Sequence, residues 1–188
     1  MGGSHSRPSD ILMKASIEKA LNDQINAEIY SAYLYKSMEM YLQSIDLPGM
    51  ANWMNVQVQE ELAHAEGLIQ FVNLRGGRVM LTAIEAPKKE WKSAAEVFAD
   101  AYEHESNVVT VKINKLVDLA IKEKDHAFNQ FLQWYVAEQV EEEDNTSTLM
   151  RKLKKIGDHT PGLMQVDGQL AARVFKPPVI PGTTVGGP

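Results

Sequence analysis

The sequence predicts an all-α protein, a four-helix bundle with a long crossover between helices two and three and a short fifth helix. Four long segments repeat apolar residues at steps of three and four, the period of an amphipathic helix. Short breaks follow the first and third segments, whereas about 17 residues without helical period separate the second from the third. Short turns join antiparallel helices, and a long connection can run the length of a bundle.

The first two helices are expected at about residues 10–43 and 49–75. Ser9 or Asp10 can cap the first helix. The sequence at 46–49, Asp-Leu-Pro-Gly, predicts a tight turn, because proline and glycine end one helix and allow another to start nearby. Two glycines at 76–77 then end the second helix.

The third and fourth helices are expected at about 93–124 and 126–156, joined by a polar turn. The crossover before the third helix implies that helices two and three are parallel. Gly157 ends the fourth helix, and residues 161–174 can form the short fifth helix.

The domain organisation follows from these elements. Residues 1–9 are expected to be a flexible leader and residues 10–174 the helical domain. Residues 175–188 contain four prolines and three glycines, so a flexible tail without regular structure is expected. Three interpretations of this tail are open, in this order: a disordered appendage, an added segment, or a docking peptide for a partner.

The composition excludes several classes of protein. The chain of 188 residues has no cysteine, so disulfides, zinc ribbons, iron–sulfur clusters and thiol nucleophiles are excluded. The net charge of −6 argues against a nucleic-acid partner and is compatible with the attraction of cations. With neither an apolar signal peptide nor a run of about 18 apolar residues, the sequence predicts a soluble, cytoplasmic protein without membrane contact.

The apolar stripe of helix two is interrupted by Glu61 and His64, one helical turn apart. A carboxylate at a buried position loses its hydration, which costs several kcal/mol unless a cation or hydrogen bonds replace the water. Two interpretations are open. Either Glu61 pairs with a lysine or arginine beside a hydrogen-bonded core histidine, or both side chains bind a metal.

The other three helices carry the same kind of interruption. Glu28 lies in the stripe of helix one, Glu105 in that of helix three, and Gln139 and Glu142 in that of helix four. Surface charges would rarely fall on all four stripes independently, whereas a shared buried site explains them together. Carboxylates suit hard cations, so the pattern favours a dinuclear metal site.

The ligands divide between two metals. We expect Glu61 to bridge them. Glu28 and His64 would complete the first metal site, and Glu105 and Glu142 the second, which has no imidazole and should therefore exchange its metal more easily.

Further residues are candidates for supporting roles. Tyr35 lies two turns after Glu28 on the same face, and Tyr35 and Gln139 are expected to hydrogen-bond the ligands. Three more glutamates could form a third metal site beside the pair, although an acidic run is also typical of a solvated helix face. These are Glu60, Glu138 and Glu141, with Glu142 adjoining them.

Four segments of the sequence resemble the prokaryotic non-haem ferritins, and the similarity covers about residues 10–174. The segments are LNDQINAE at 21–28, QEELAH at 59–64, YEHE at 102–105 and FLQWYVAEQVEEE at 131–143. The resemblance implies a cytoplasmic iron-storage protein with ferroxidase activity at a dinuclear iron centre. It also implies a homo-oligomeric hollow shell, usually of 24 chains, in which ferric oxyhydroxide is deposited.

The resemblance implies the same ligands as the helix pattern: Glu28, Glu61, His64, Glu105 and Glu142. Helix four has Gln139-x-x-Glu142 where bacterioferritin has Glu-x-x-His, which resembles the non-haem branch. Two alternatives stay open. One is a rubrerythrin-like di-iron peroxidase or oxidase without mineral storage, and the other is a structural helical scaffold with solvated glutamates.

Overall fold

The computed structural model describes residues 13–187, which form α-helices and one π-helical turn but no strand. The third helix of the bundle is continuous and contains the π-helical turn. The all-α prediction and the short additional helix are confirmed. The elements are α1 (Ala15–Ser44), α2 (Pro48–Leu74), α3 (Ala94–His104), the π-helical turn (Glu105–Val109), α4 (Thr110–Lys122), α5 (His126–Ile156) and α6 (Thr160–Leu170).

The crossover between α2 and α3 follows α1 from one end of the bundle to the other. Near its start, the backbone amide of Met80 donates to Asn22 Oδ1 at 2.7 Å. Near its end, Ser37 Oγ donates to the Lys88 carbonyl at 2.7 Å. Since α1 advances from residue 22 to residue 37 over the same path, α3 begins at the end of the bundle where α2 began. Helices two and three of the bundle are therefore parallel, as expected.

The bundle has two apolar cores separated along its length. The first core contains Leu21, Leu68 and Phe128 with their neighbours, and the second contains Met38 and Phe98 with theirs. The predicted stripes supply most of both cores, because the period of three and four residues keeps one face of each helix inward. The stripe-breaking glutamates lie between the two cores.

Two helix boundaries differ from the sequence prediction. Residues 13 and 14 are not helical, so the first helix begins at Ala15 rather than near residue 10. The backbone amide of Met13 instead donates to the Arg75 carbonyl at 3.2 Å. The expected leader at 1–9 and the proposed caps, Ser9 and Asp10, lie outside the described residues. The fifth helix ends at Leu170, earlier than expected, and Asn52 Nδ2 donates to the carbonyls of Ala171 and Arg173 just beyond it.

Residues 175–187 contain no helix or strand, as the proline and glycine content predicts, but they lie against the bundle. Ile180 is 1% exposed and joins the first apolar core. An added Cβ on Gly67 would lie 2.6 Å from both Ile180 Cδ1 and the Tyr135 hydroxyl, so the glycine leaves room for this close approach. Tail flexibility stays a prediction.

Within residues 13–187, no helix combines the length and apolar character needed to cross a bilayer.

Candidate metal centre

Four glutamates from four bundle helices meet at mid-length, between the two apolar cores. They are Glu28 of α1, Glu61 of α2, Glu105 at the first position of the π-helical turn and Glu142 of α5. Each is at most 3% exposed. A carboxylate withdrawn so completely from water requires compensation by cations, protons or hydrogen-bond donors.

Glu28, Glu61 and His64 form a ready-made set of ligands. One potential ligand atom from each lies within 4.8 Å of the others. Glu28 Oε2, Glu61 Oε2 and His64 Nε2 are buried without a hydrogen-bond partner among residues 13–187. Buried polar atoms are nearly always paired, so unpaired carboxylate oxygens on Glu28 and Glu61, beside a buried histidine, are the expected mark of a metal site.

The alternative in which lysine or arginine neutralises Glu61 does not fit the structure. Within the described chain, no lysine or arginine forms an ion pair with any of the four central glutamates. The only ion-pair partner of Glu61 there is His64, whose Nδ1 lies 3.8 Å from Glu61 Oε2. The negative charge of the centre is therefore not cancelled by basic side chains.

Glu105 and Glu142 are held by hydrogen bonds. The Tyr35 hydroxyl donates to Glu105 Oε1, and Gln139 Nε2 donates to Glu105 Oε2 at 3.2 Å. Gln57 Nε2 donates to Glu142 Oε2 at 2.9 Å. These two glutamates are not in the compact set above. The structure thus places Tyr35 and Gln139 on a predicted ligand, and the assignment of a second metal to Glu61, Glu105 and Glu142 stays a prediction.

Two buried glutamines were given no role by the sequence analysis. Gln24 Nε2 donates to Glu28 Oε1 at 2.8 Å, and Gln57 Oε1 is buried without a partner among the described residues. Gln57 lies in the same stripe as Glu61, and Gln24 lies one turn before Glu28. Each glutamine thus lies one helical turn before a glutamate that the sequence predicts to be buried, and this spacing could have identified both glutamines as candidate hydrogen-bond donors.

The environment raises the pKa values of the central carboxyls. Burial raises the pKa of Glu61 well above its usual value, and the charges of Glu105, Glu28 and Glu142 raise it further. Burial raises the pKa of Glu105 to about 7, although its hydrogen-bond donors oppose the shift. Burial and the charge of Glu105 raise the pKa of Glu142 to about 8. Without metal the centre holds protons, which bound cations would displace.

His64 is oriented by aromatic neighbours on α5. The Tyr135 hydroxyl donates to the His64 carbonyl at 2.8 Å, and the ring of Trp134 lies edge-on at a centroid distance of 5.5 Å. His64 Nε2 lies 4.0 Å from Glu138 Oε1. Glu138 therefore connects the centre with the acidic surface outside it.

The glutamates of the predicted third site line one cleft but are not gathered as a ligand set. Glu60, Glu138 and Glu141 all line it, yet the only cluster of three metal-binding side chains in the described chain is the one around Glu61. Glu60 Oε2 accepts from Arg173 Nη2 at 2.7 Å. The third site stays a prediction, and its Glu60 already has a cationic partner.

The π-helical turn at Glu105–Val109 was not anticipated. A π-helical turn accommodates one extra residue, and such turns occur frequently at functional sites. Both His104 and Glu105 are buried here. The predicted stripe runs through the turn in ordinary steps of three and four, so the sequence period contains no sign of it.

Comparisons with known proteins agree with this geometry. Residues 18–156 match the ferritin-like domain family. A probable bacterial non-heme ferritin-like protein of Haemophilus influenzae is 40% identical over 85% of this chain and 96% of its own length. A bacterial non-heme ferritin of Bacteroides fragilis is 37% identical over 86% of this chain and its full length. The structure of an open-pore ferritin of Archaeoglobus fulgidus superimposes with a TM-score of 0.85 and 52% identity, covering 86% of this chain and 99% of that one.

Proposed function

Because the chain belongs to the ferritin family, we propose that it is an iron-storage protein whose buried carboxylate centre oxidises Fe²⁺ with O2. One observation carries the proposal. Four buried glutamates and one histidine converge between two apolar cores with no basic side chain to neutralise them, within residues 13–187. Such a site is costly in the metal-free protein and is stabilised by divalent cations.

The first Fe²⁺ would bind Glu28, Glu61 and His64. The proximity of one ligand atom from each residue supports this assignment, as do Glu28 Oε2 and Glu61 Oε2, which have no hydrogen-bond partner in the described chain. Oxygen ligands and one imidazole suit Fe²⁺, which lies between the hard and soft cations.

The second Fe²⁺ would share Glu61 and bind Glu105 and Glu142. The charges of Glu105 and Glu142 help to raise the pKa of Glu61, and the charge of Glu105 helps to raise that of Glu142, which supports a common space between the three carboxylates. A shared carboxylate lets two cations approach closely because its negative charge offsets their repulsion. Tyr35 and Gln139 hold the Glu105 carboxylate, which limits the number of ways in which it can bind.

Two adjacent Fe²⁺ substrates can deliver two electrons to one O2 molecule, which a single Fe²⁺ cannot do. The same carboxylates favour the Fe³⁺ product, because hard anionic oxygen ligands bind the more highly charged ion more tightly. The protons held by the metal-free centre leave when the cations bind, so iron binding should release acid.

A hollow homo-oligomeric shell, of 24 chains in the family pattern, would hold the resulting ferric oxyhydroxide. The solved structures similar to this chain are described as ferritins, two of them as ferritins with an open pore. Large apolar side chains on α1 and α2, among them Tyr33, Met40 and Leu62, are about half exposed in the single chain. Their burial between subunits is the expected outcome of assembly.

The proposal is tested by stopped-flow oxidation of Fe²⁺ in air by the Glu61→Ala variant. Removal of the shared carboxylate should abolish the fast phase and leave only slow oxidation. Glu103→Ala is the matched control, because Glu103 lies two residues before Glu105 but is exposed. Full retention of the fast phase in Glu61→Ala would refute a ferroxidase role for this centre.

A further inference from the structure

A cleft of about 710 Å³ adjoins the metal centre, with α5 on one side and the segment after α6 on the other. Glu60, Glu138 and Glu141 contribute carboxylates to it. Arg173 and Lys176, from the segment after α6, contribute the opposite charge. This is the acidic surface of the proposed third site, and the chain places two of its own cations on it.

Arg173 is fixed from several sides. Its Nη2 donates to Glu60 Oε2 at 2.7 Å, and its Nη1 donates to the Trp53 carbonyl at 3.3 Å. The guanidinium lies over the Trp53 ring, 4.5 Å from the ring centroid. The Arg173 carbonyl accepts from Asn52 Nδ2 at 2.9 Å. Because backbone and side chain are both held, little further conformational entropy is lost when the ion pair forms.

The segment that carries Arg173 is also anchored beyond the cleft. Ile180 is inserted beside Gly67, and the Thr184 amide donates to Gln70 Oε1 at 2.8 Å. The chain is thus attached to α2 on both sides of the cleft, which keeps Arg173 close to Glu60.

The cleft connects with the centre through one buried atom. His64 is 3% exposed, and its Nε2 has no hydrogen-bond partner within residues 13–187. This Nε2 lies 4.0 Å from Oε1 of Glu138, which lines the cleft. A cation held by Glu138 would therefore lie next to a proposed ligand of the dinuclear centre.

We propose that Arg173 is a tethered competitor for metal ions at Glu60, so that the segment after α6 restricts cation occupancy of the cleft beside the centre. The guanidinium and a multivalent cation compete for the same carboxylate oxygens, and the guanidinium is covalently part of the chain. The inference deepens the proposed function, on which it rests for the identity of the neighbouring centre. Arg173 touches neither the proposed iron positions nor their ligands directly, so it acts through Glu60.

The test is equilibrium titration of the assembled, iron-free protein with Tb³⁺, a redox-inert oxygen-seeking cation. Luminescence sensitised by Trp134, which lines the cleft, reports binding. Arg173→Gln should tighten Tb³⁺ binding at the cleft by roughly ten-fold or more, because Glu60 is freed for the metal. Arg151→Gln on α5 removes the same charge from an exposed residue that does not line the cleft and that hydrogen-bonds Thr148, and it should have no such effect.

The dinuclear centre can also bind Tb³⁺, so a further variant must show that the gain in Tb³⁺ affinity comes from Glu60. In a Glu60→Gln background, Arg173→Gln should no longer tighten binding. Equal Tb³⁺ affinity in the wild-type protein and Arg173→Gln overturns the proposal. A gain that persists in the Glu60→Gln background overturns it as well.

A second variant guards against misfolding of the first. Ile180→Ala leaves Arg173 and Glu60 intact but loosens the anchor, and should tighten Tb³⁺ binding by a smaller factor. An unchanged affinity in this variant would contradict the role of the anchor. No iron oxidation takes place in these titrations, so the proposal can fail while the ferroxidase assignment stands, and the reverse also holds.

Discussion

Replacement of Glu61 by glutamine should stabilise the metal-free protein. Glutamine has nearly the same shape as glutamate but no charge. Glu61 is 1% exposed, its Oε2 has no hydrogen-bond partner among the described residues, and the charges of Glu28, Glu105 and Glu142 raise its pKa. On folding, Glu61 must either bury its charge or bind a proton, and glutamine requires neither, so the free energy of unfolding should rise by about 1–3 kcal/mol.

The assay is thermal unfolding in chelator at about pH 8, where the Glu142 carboxyl with its pKa of about 8 is half ionised. The expected rise in Tm is roughly 3–9 °C for a chain of this size. Saturating Zn²⁺ should reverse the order of the two melting temperatures, so that the wild-type protein melts above the variant. The wild-type protein gains about 2.7 kcal/mol at a free metal concentration of about 100 times Kd, whereas the variant has lost the shared ligand and gains less.

Glu103→Gln makes the same substitution at an exposed position and should leave both melting temperatures unchanged. A metal-free Glu61→Gln variant that melts below the wild-type protein would refute the reasoning, since the carboxylate would then be stabilising in the absence of metal.

Three further predictions concern the carboxyls and the tail. The folded metal-free chain retains protons on Glu105 and Glu142 that the unfolded chain releases above a pKa near 4.5, so stability should fall as pH rises. Each group should lower stability by ~1.4 kcal/mol per pH unit, from about pH 5 to its folded pKa, which is about 7 for Glu105 and about 8 for Glu142. Urea unfolding at several pH values measures this slope, which saturating Zn²⁺ should flatten; a rise of stability with pH would contradict it. Tyr35→Phe removes a hydroxyl donor from Glu105 and should lower the metal-free free energy of unfolding by about 1–2 kcal/mol in the same assay, and no change would show that the bond is not stabilising. Gly67→Ala places a Cβ 2.6 Å from both Ile180 Cδ1 and the Tyr135 hydroxyl and should cost about 1–3 kcal/mol. It should also expose the tail to limited proteolysis, whereas an unaltered digestion rate would argue against tight docking.

The architecture and the central glutamates could be predicted because both depend on helical period. A carboxylate such as Glu28 or Glu105 at a stripe position must be buried once the stripe packs, whatever the partner helix. Parallel placement of helices two and three followed from the length of the crossover. These are properties of local sequence, and residue spacing reports them directly.

Features that depend on contacts between distant segments could not be predicted. Arg173 and Glu60 are 113 positions apart, and no periodicity links them. Ile180 can dock beside Gly67 because a small residue lies opposite an apolar one. The proline-rich composition of the tail predicts no regular structure there, so it gives no indication of this contact. The π-helical turn at Glu105 changes backbone hydrogen bonding without changing the apolar pattern, so the stripe predicts the buried residue but not its local geometry.

Anaerobic titration of the metal-free protein with Fe²⁺, followed by exposure to air and size analysis of the product, tests the central claim most directly. Binding should saturate at about two Fe²⁺ per chain, in keeping with the two-metal ligand set of such bundles. After air exposure, iron uptake should continue far beyond that number into a large particle with a mineral core. Saturation at about two without further uptake would contradict storage and leave a di-iron oxidase, and no Fe²⁺ binding at all would contradict a metal role for the buried glutamates.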